Sequence, residues 1–145
     1  MSTIPAALGA LLSVSASTGV QTLDGPPVAA SQVDPDVILI GFTGQPGEPA
    51  VGANLDVAGY TETDRESYDV TCIASSWRGD TGMQTVRARV FAILDDLAAA
   101  LDGDPTLGGA VTRARLTVAA VSLDQINEGA AATVQFTIHV DAFVG

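Results

Sequence analysis

The sequence predicts an α+β domain built on a mostly antiparallel sheet. A 3.6-residue apolar period marks one long helix at about 82–102. A two-residue period marks the strands on either side of it. The elements follow in the order helix, several strands, helix, two strands, with no repeat of strand–helix–strand units. With 145 residues, 47% of them hydrophobic and 16% charged, residues 1–145 make one domain with enough apolar matter for a core.

The first helix is read from Ile4 to Val14. Thr3 is placed as its N-cap with Pro5 just inside. Ile4, Leu8, Leu11 and Leu12 share one face, and Gly9 is its weak point. The first positive charge is Arg65, so the basic start of a secretory leader is missing and an uncleaved helix is expected.

Val20–Leu23 reads as a short strand closed by Asp24-Gly25-Pro26-Pro27. Val37–Ile40 is a continuous apolar run, which predicts a strand buried on both faces. Phe42 to Pro49 carries two prolines and two glycines, so it is read as a loop. Val51 to Tyr60 alternates loosely, and 61–66 (TETDRE) is read as a charged turn. From Tyr68 to Trp77, Tyr68, Val70, Cys72 and Ala74 take one face of a strand, and Asp69, Thr71, Ile73 and Ser75 the other.

Thr81-Gly82-Met83-Gln84 matches a capping box. Val86, Val90, Ile93, Leu94, Leu97 and Leu101 then recur at helical steps until Gly103 and Pro105 end the helix. Ala114, Leu116, Val118 and Ala120 alternate with Arg113, Arg115 and Thr117. After a turn at Asn127–Gly129 comes the cleanest alternation. Ala132, Val134, Phe136, Ile138, Val140 and Ala142 face inward, and Thr133, Gln135, Thr137, His139 and Asp141 outward.

Composition excludes several functions. The formal net charge is −11, from 17 acidic and 6 basic residues, all six of them arginine. Nucleic-acid binders neutralise phosphate with Lys and Arg, and anionic membranes attract the same side chains, so neither partner is expected. One cysteine and one histidine leave no disulfide, no cysteine-cluster metal site and no site that needs two imidazoles. No nucleophile elbow or phosphate loop occurs. Asp95 and Asp96 are adjacent on a helix and point ~100° apart, so they do not form an acid–base pair. Arg78-Gly79-Asp80 leads straight into the capping box and is read as structural. No catalytic residue, metal or cofactor is expected, and an enzyme is not expected. What remains is assembly. Phe42 and Trp77, beside loops, are candidate interface anchors. Arg113 and Arg115, two apart on a strand, are candidates for pairing with a carboxylate of an adjacent subunit.

The strand YDVTCIASSWRGD, the helix MQTVRARVFAILDDLAAALDGD, the segment DPTLGGAV and the strands RARLTVAAVS and AAATVQFTIHVDAF succeed one another. Before them come an N-terminal helix, GVQTLDGPPV and DVILIGF. Over roughly residues 4–143, this order and phrasing resembles the tail terminator proteins of long-tailed bacteriophages. The resemblance implies a structural virion protein of the tail–neck region, assembled in the host cytoplasm. It implies a homo-oligomeric ring, commonly a hexamer, on the head-proximal end of the tail tube. Such a ring stops polymerisation of the tail tube protein and offers a docking face to the head–tail connector or stopper protein. Genomic DNA would pass through its bore without specific binding, and no membrane is involved. Neighbouring families of small neck and tail-completion proteins share the outline; the alternatives are another neck or tail-tube structural protein of a phage and, behind it, a small non-viral ligand-binding domain.

Overall fold

A computed structural model describes residues 2–26, 33–45, 47–56, 64–79, 82–126 and 129–144. Its helices are α1 (Ile4–Ala16) and α2 (Met83–Gly103). Its strands are β1 (Gln21–Asp24), β2 (Asp36–Ile40), β3 (Val51–Asp56), β4 (Asp64–Arg78), β5 (Arg113–Ile126) and β6 (Gly129–Val144). They form one sheet in the order β1-β2-β4-β6-β5, with β3 also on β4. All junctions are antiparallel except β1–β2, which is parallel. This is the α+β fold with a mostly antiparallel sheet that the periodicities predict, its one parallel junction lying between β1 and β2.

The long strand β4 organises the sheet. One of its edges pairs with β6 along its full length, from Asp64↔Val144 to Arg78↔Ala130. The other edge is shared, with β3 on Arg65–Val70 and β2 on Cys72–Ser76. The turn expected at 61–66 is therefore corrected for its last residues, because Asp64, Arg65 and Glu66 already belong to the ladder. Residues 61–63 lie outside the described residues, as do 57–60 of the expected Val51–Tyr60 strand.

Alternation then sorts the two faces. Tyr68, Val70, Cys72 and Ala74 of β4 and the even-numbered residues of β6 from Ala130 to Ala142 are buried under the helices. Ile38, Ile40 and Ala114 join them, and α2 closes the layer with Val86, Val90, Ile93, Leu94, Leu97 and Leu101. Each of these α2 side chains is at most 3% exposed, and such burial contributes roughly 1.5–3 kcal/mol for each large one. On the opposite face Val37, Leu39 and Ile73 form a second, smaller cluster with Leu23, Val33 and Phe42. The run 37–40 is thus buried on both faces, as its continuous apolar character predicts.

The start of α1 is as expected, with Thr3 at the N-cap position and Pro5 just inside, whereas the start of α2 differs. Gly82 occupies the N-cap of α2 and no side chain caps it. The helix therefore begins one residue later than the proposed capping box requires, and Thr81 itself lies outside the described residues. Thr3 stands at the N-cap of α1 without a capping hydrogen bond. Its Oγ1 and backbone N–H instead donate to Glu66 Oε1 at 2.8 and 2.9 Å. Gly129, at the start of β6, has φ +140°, and a Cβ there would run into the Arg78 carbonyl at the end of β4. Only glycine lets these two backbones approach so closely.

Candidate functional site

The sheet face without helices carries short polar side chains in rows. Thr71, Thr137 and Thr117 align across β4, β6 and β5, and so do Ser75, Thr133 and Ser122. Nearer the start of β5 the rows become ionic. Asp69, His139 and Arg115 form one, and Ser67, Asp141 and Arg113 the next. His139 Nδ1 lies 2.7 Å from Asp69 Oδ1, and its Nε2 lies 3.4 Å from Asp141 Oδ1. Asp69 thus orients the ring through Nδ1 and Asp141 stands beside Nε2, and no hydroxyl or thiol among the described residues is hydrogen-bonded to either nitrogen.

A second ionic cluster joins β2, β4 and α2. Asp36 accepts two hydrogen bonds from Arg78, Nη1 to Oδ1 at 2.8 Å and Nη2 to Oδ2 at 3.0 Å. Ser76 Oγ adds a third at 2.7 Å, and Arg89 Nε a fourth at 2.9 Å. The Arg78 guanidinium, opposed by burial and helped by Ser76 and Arg89, holds the Asp36 carboxyl far below the usual carboxylate range. In return Asp36 raises Arg78. An open cleft of about 300 Å³ lies beside this cluster, lined by Gly19, Val20, Asp34, Pro35, Arg78 and Arg89 among others. Asp36 compensates one of its two guanidiniums and Asp34 lines the same cleft, so an anion would meet little net positive charge there.

A third cluster fastens α1. Burial opposes ionisation of Glu66, but the hydrogen bonds from Ser2 Oγ and from the Thr3 N–H and hydroxyl outweigh it and lower its pKa. Thr3 Oγ1 also lies 3.0 Å from Tyr68 Oη. Burial raises the Tyr68 phenol, opposed by its contact with Thr3.

The four residues singled out in the sequence do not converge. Phe42 is half-buried on the Val37–Leu39–Ile73 cluster. Trp77 is exposed at the far end of β4. Arg113 and Arg115 are exposed at the start of β5, at the other end of the strand direction, and have no carboxylate within 4.0 Å among the described residues. All four belong to the helix-free side of the sheet. Cys72 is fully buried, and its thiol is pushed up to about 12 by burial, slightly opposed by a hydrogen bond from the Gly41 backbone. It is a poor nucleophile. Arg78 of the Arg-Gly-Asp tripeptide is committed to Asp36, and Asp80 lies outside the described residues. Among the described residues no group of three or more His, Cys, Asp or Glu side chains could hold a metal ion. No described helix is long and apolar enough to cross a membrane.

Sequence reading missed the Asp36 and Glu66 clusters. Their partners are 42, 53 and 63 residues away, so no local spacing announces them. It also missed the second half of β5. The strand continues to Ile126, past a bulge between Val118 and Ala120. There Val118, Val121 and Leu123 pair with Phe136, Val134 and Ala132 on the helix side of the sheet, yet remain 49%, 44% and 43% exposed. No protein-family model matches the chain, and no curated protein matches it in sequence.

Proposed function

We propose that the chain is a ring-forming structural subunit of a long-tailed phage, closing the head-proximal end of the tail tube and presenting a docking face to the head connector. The reading rests on the resemblance over residues 4–143. It is supported by one structural observation above others: among the described residues the terminal strands β1 and β5 each keep one unpaired edge and one face of the sheet carries no helix, as a subunit built to be joined on several sides would. Nothing among the described residues gathers a nucleophile, a base and a cleft. The helix-free face bears neutral rows of Thr and Ser, and the chain carries −11. A ring of such chains would repel DNA at long range rather than grip it.

The test is made in the particle. Without this chain, tails should grow to uncontrolled length and fail to join heads, and restoring it should restore both. Imaging should find a closed ring of copies, six by analogy, between tube and connector. Isolated single copies there, or normal tails in its absence, would sink the reading, and a ring elsewhere in the neck or tube would move it to a neighbouring structural role. Tight retention of duplex DNA by the purified chain at low ionic strength would contradict the expected passage without grip.

A further inference from the structure

The molecule is unfinished at two opposite ends. At one end β5 pairs only with β6 among the described residues. Its helix-side residues Val118, Val121 and Leu123 extend beyond what α2 covers. Phe91 continues this strip. It lies on the flank of α2 away from Arg89, whose side chain reaches β2, and so on the flank toward β5, and it is 37% exposed. Arg87 shares that flank. Arg87, Arg113 and Arg115 are three of the chain's six arginines, and none has a carboxylate within 4.0 Å among the described residues.

At the other end β1 pairs only with β2 among the described residues. Above it lies α1, IPAALGALLSVSA, which carries no charge. A helix that is apolar nearly all round belongs in an interior. Yet Pro5, Ala6, Gly9 and Ala16 are exposed, and Leu8 and Leu12 only half-buried. Asp24 and Asp34 are exposed here, Arg78 and Arg89 line the neighbouring cleft, and the Asp34 N–H is held by Gln21 Oε1 of β1 at 2.6 Å.

We propose that the β5 edge of one copy receives the β1 edge of a second copy, head to tail, with the second copy's α1 seated over Phe91, Val118, Val121 and Leu123. Strand direction permits this. β5 runs parallel to β4, whereas β2 and β1 run against it. A rotation about an axis near the strand direction preserves these senses and the helix side. The new junction is then antiparallel, and α1 arrives on the face where the apolar strip lies. The lengths are compatible too, because across the sheet the four residues of β1 fall level with Val118–Ser122. Repetition of one head-to-tail contact closes a ring when the rotation per copy divides the circle, and otherwise winds a filament. The contact rests on the ring reading only for that closure.

The experiment uses the full chain at increasing concentration. Thr22→Cys combined with Val121→Cys, or with Leu123→Cys to allow a shifted register, should give disulfide-linked copies under mild oxidation. A control pairing Thr22→Cys with Ala99→Cys, on the outer face of α2, should not. Separately, Val121→Lys with Leu123→Lys should retain the parent's circular dichroism and weaken self-association about tenfold or more by light scattering. If that variant fails to fold, the cysteine pairs decide alone. No cross-link in either register, or unchanged association in a folded Lys variant, overturns the contact. A chain that associates through another surface overturns this contact and leaves the ring reading intact. Single copies in the particle overturn the ring reading itself.

Discussion

The two halves of β5 have similar sequences and different surroundings. In the first half Ala114 is 3% exposed and Leu116 packs against the main core. In the second half Val118, Val121 and Leu123 lie on the same side of the same sheet and stand in solvent. Both halves pair with β6, whose inward residues are buried throughout. The difference is the helix: α2 covers β4, β6 and the beginning of β5, and nothing among the described residues covers the rest. Alternation therefore tells which way a side chain points. Whether anything meets it there depends on the third dimension or on another molecule.

The largest way to break the comparison is to attack the covered side. Phe136 is fully buried opposite the exposed Val118. Phe136→Ala should lower unfolding free energy by about 3–5 kcal/mol in a denaturant titration. A loss below 1 kcal/mol would mean that the core is not packed as described.

Next comes the Asp36 cluster, which fastens the far flank of α2 and so leaves its Phe91 flank to face β5. Asp36→Asn should cost about 1.5–3 kcal/mol at pH 7. Folding lowers the Asp36 carboxyl pKa. Its contribution is therefore complete above ~pH 4 and fades as pH falls below that value. The gap between parent and variant should close in unfolding curves taken at acid pH. A gap that stays unchanged between pH 7 and pH 2 would show that shape, not charge, is what the variant loses.

Gly129→Ala, at the hairpin that joins the exposed end of β5 to β6, should cost about 1–3 kcal/mol through overpacking against the Arg78 carbonyl. A melting temperature equal to the parent's would mean that the two backbones can part freely. The smallest effect is expected on the exposed side. Val121→Ser should change monomer stability by no more than about 0.5 kcal/mol. A larger loss in a monomeric sample would show that this half of β5 is already covered within one chain.

The sequence made the elements legible wherever one period ran unbroken. β6 alternates over its whole length and α2 repeats over five turns, so their faces could be assigned residue by residue. The parallel pairing of β1 with β2 was not legible, because four residues carry no sign of a partner's direction. The entry of Glu66 into β4 was hidden by its charge. A buried carboxylate is tolerated there only because Ser2 and Thr3, over 60 positions earlier, supply its hydrogen bonds. Of the candidate interface residues, the exposure of Arg113 and Arg115 on one face followed from their spacing. The overhang beyond them did not, because a strand's pattern is the same under a helix and past its end.

The place of β6 has a consequence for how the protein is made. It follows in sequence every element it joins, yet in space it stands between β4 and β5. While the chain leaves the ribosome at about 5–20 residues per second, α1 emerges first and must wait for Glu66, and β4 must wait longer still for its partner of greatest length. For several seconds the uncharged helix and one long strand edge are both without their final neighbours. Such intermediates invite aggregation. Translation speed, or a chaperone that shields α1 and β4 until residue 144 is out, should therefore govern the soluble yield more than the stability of the finished fold does.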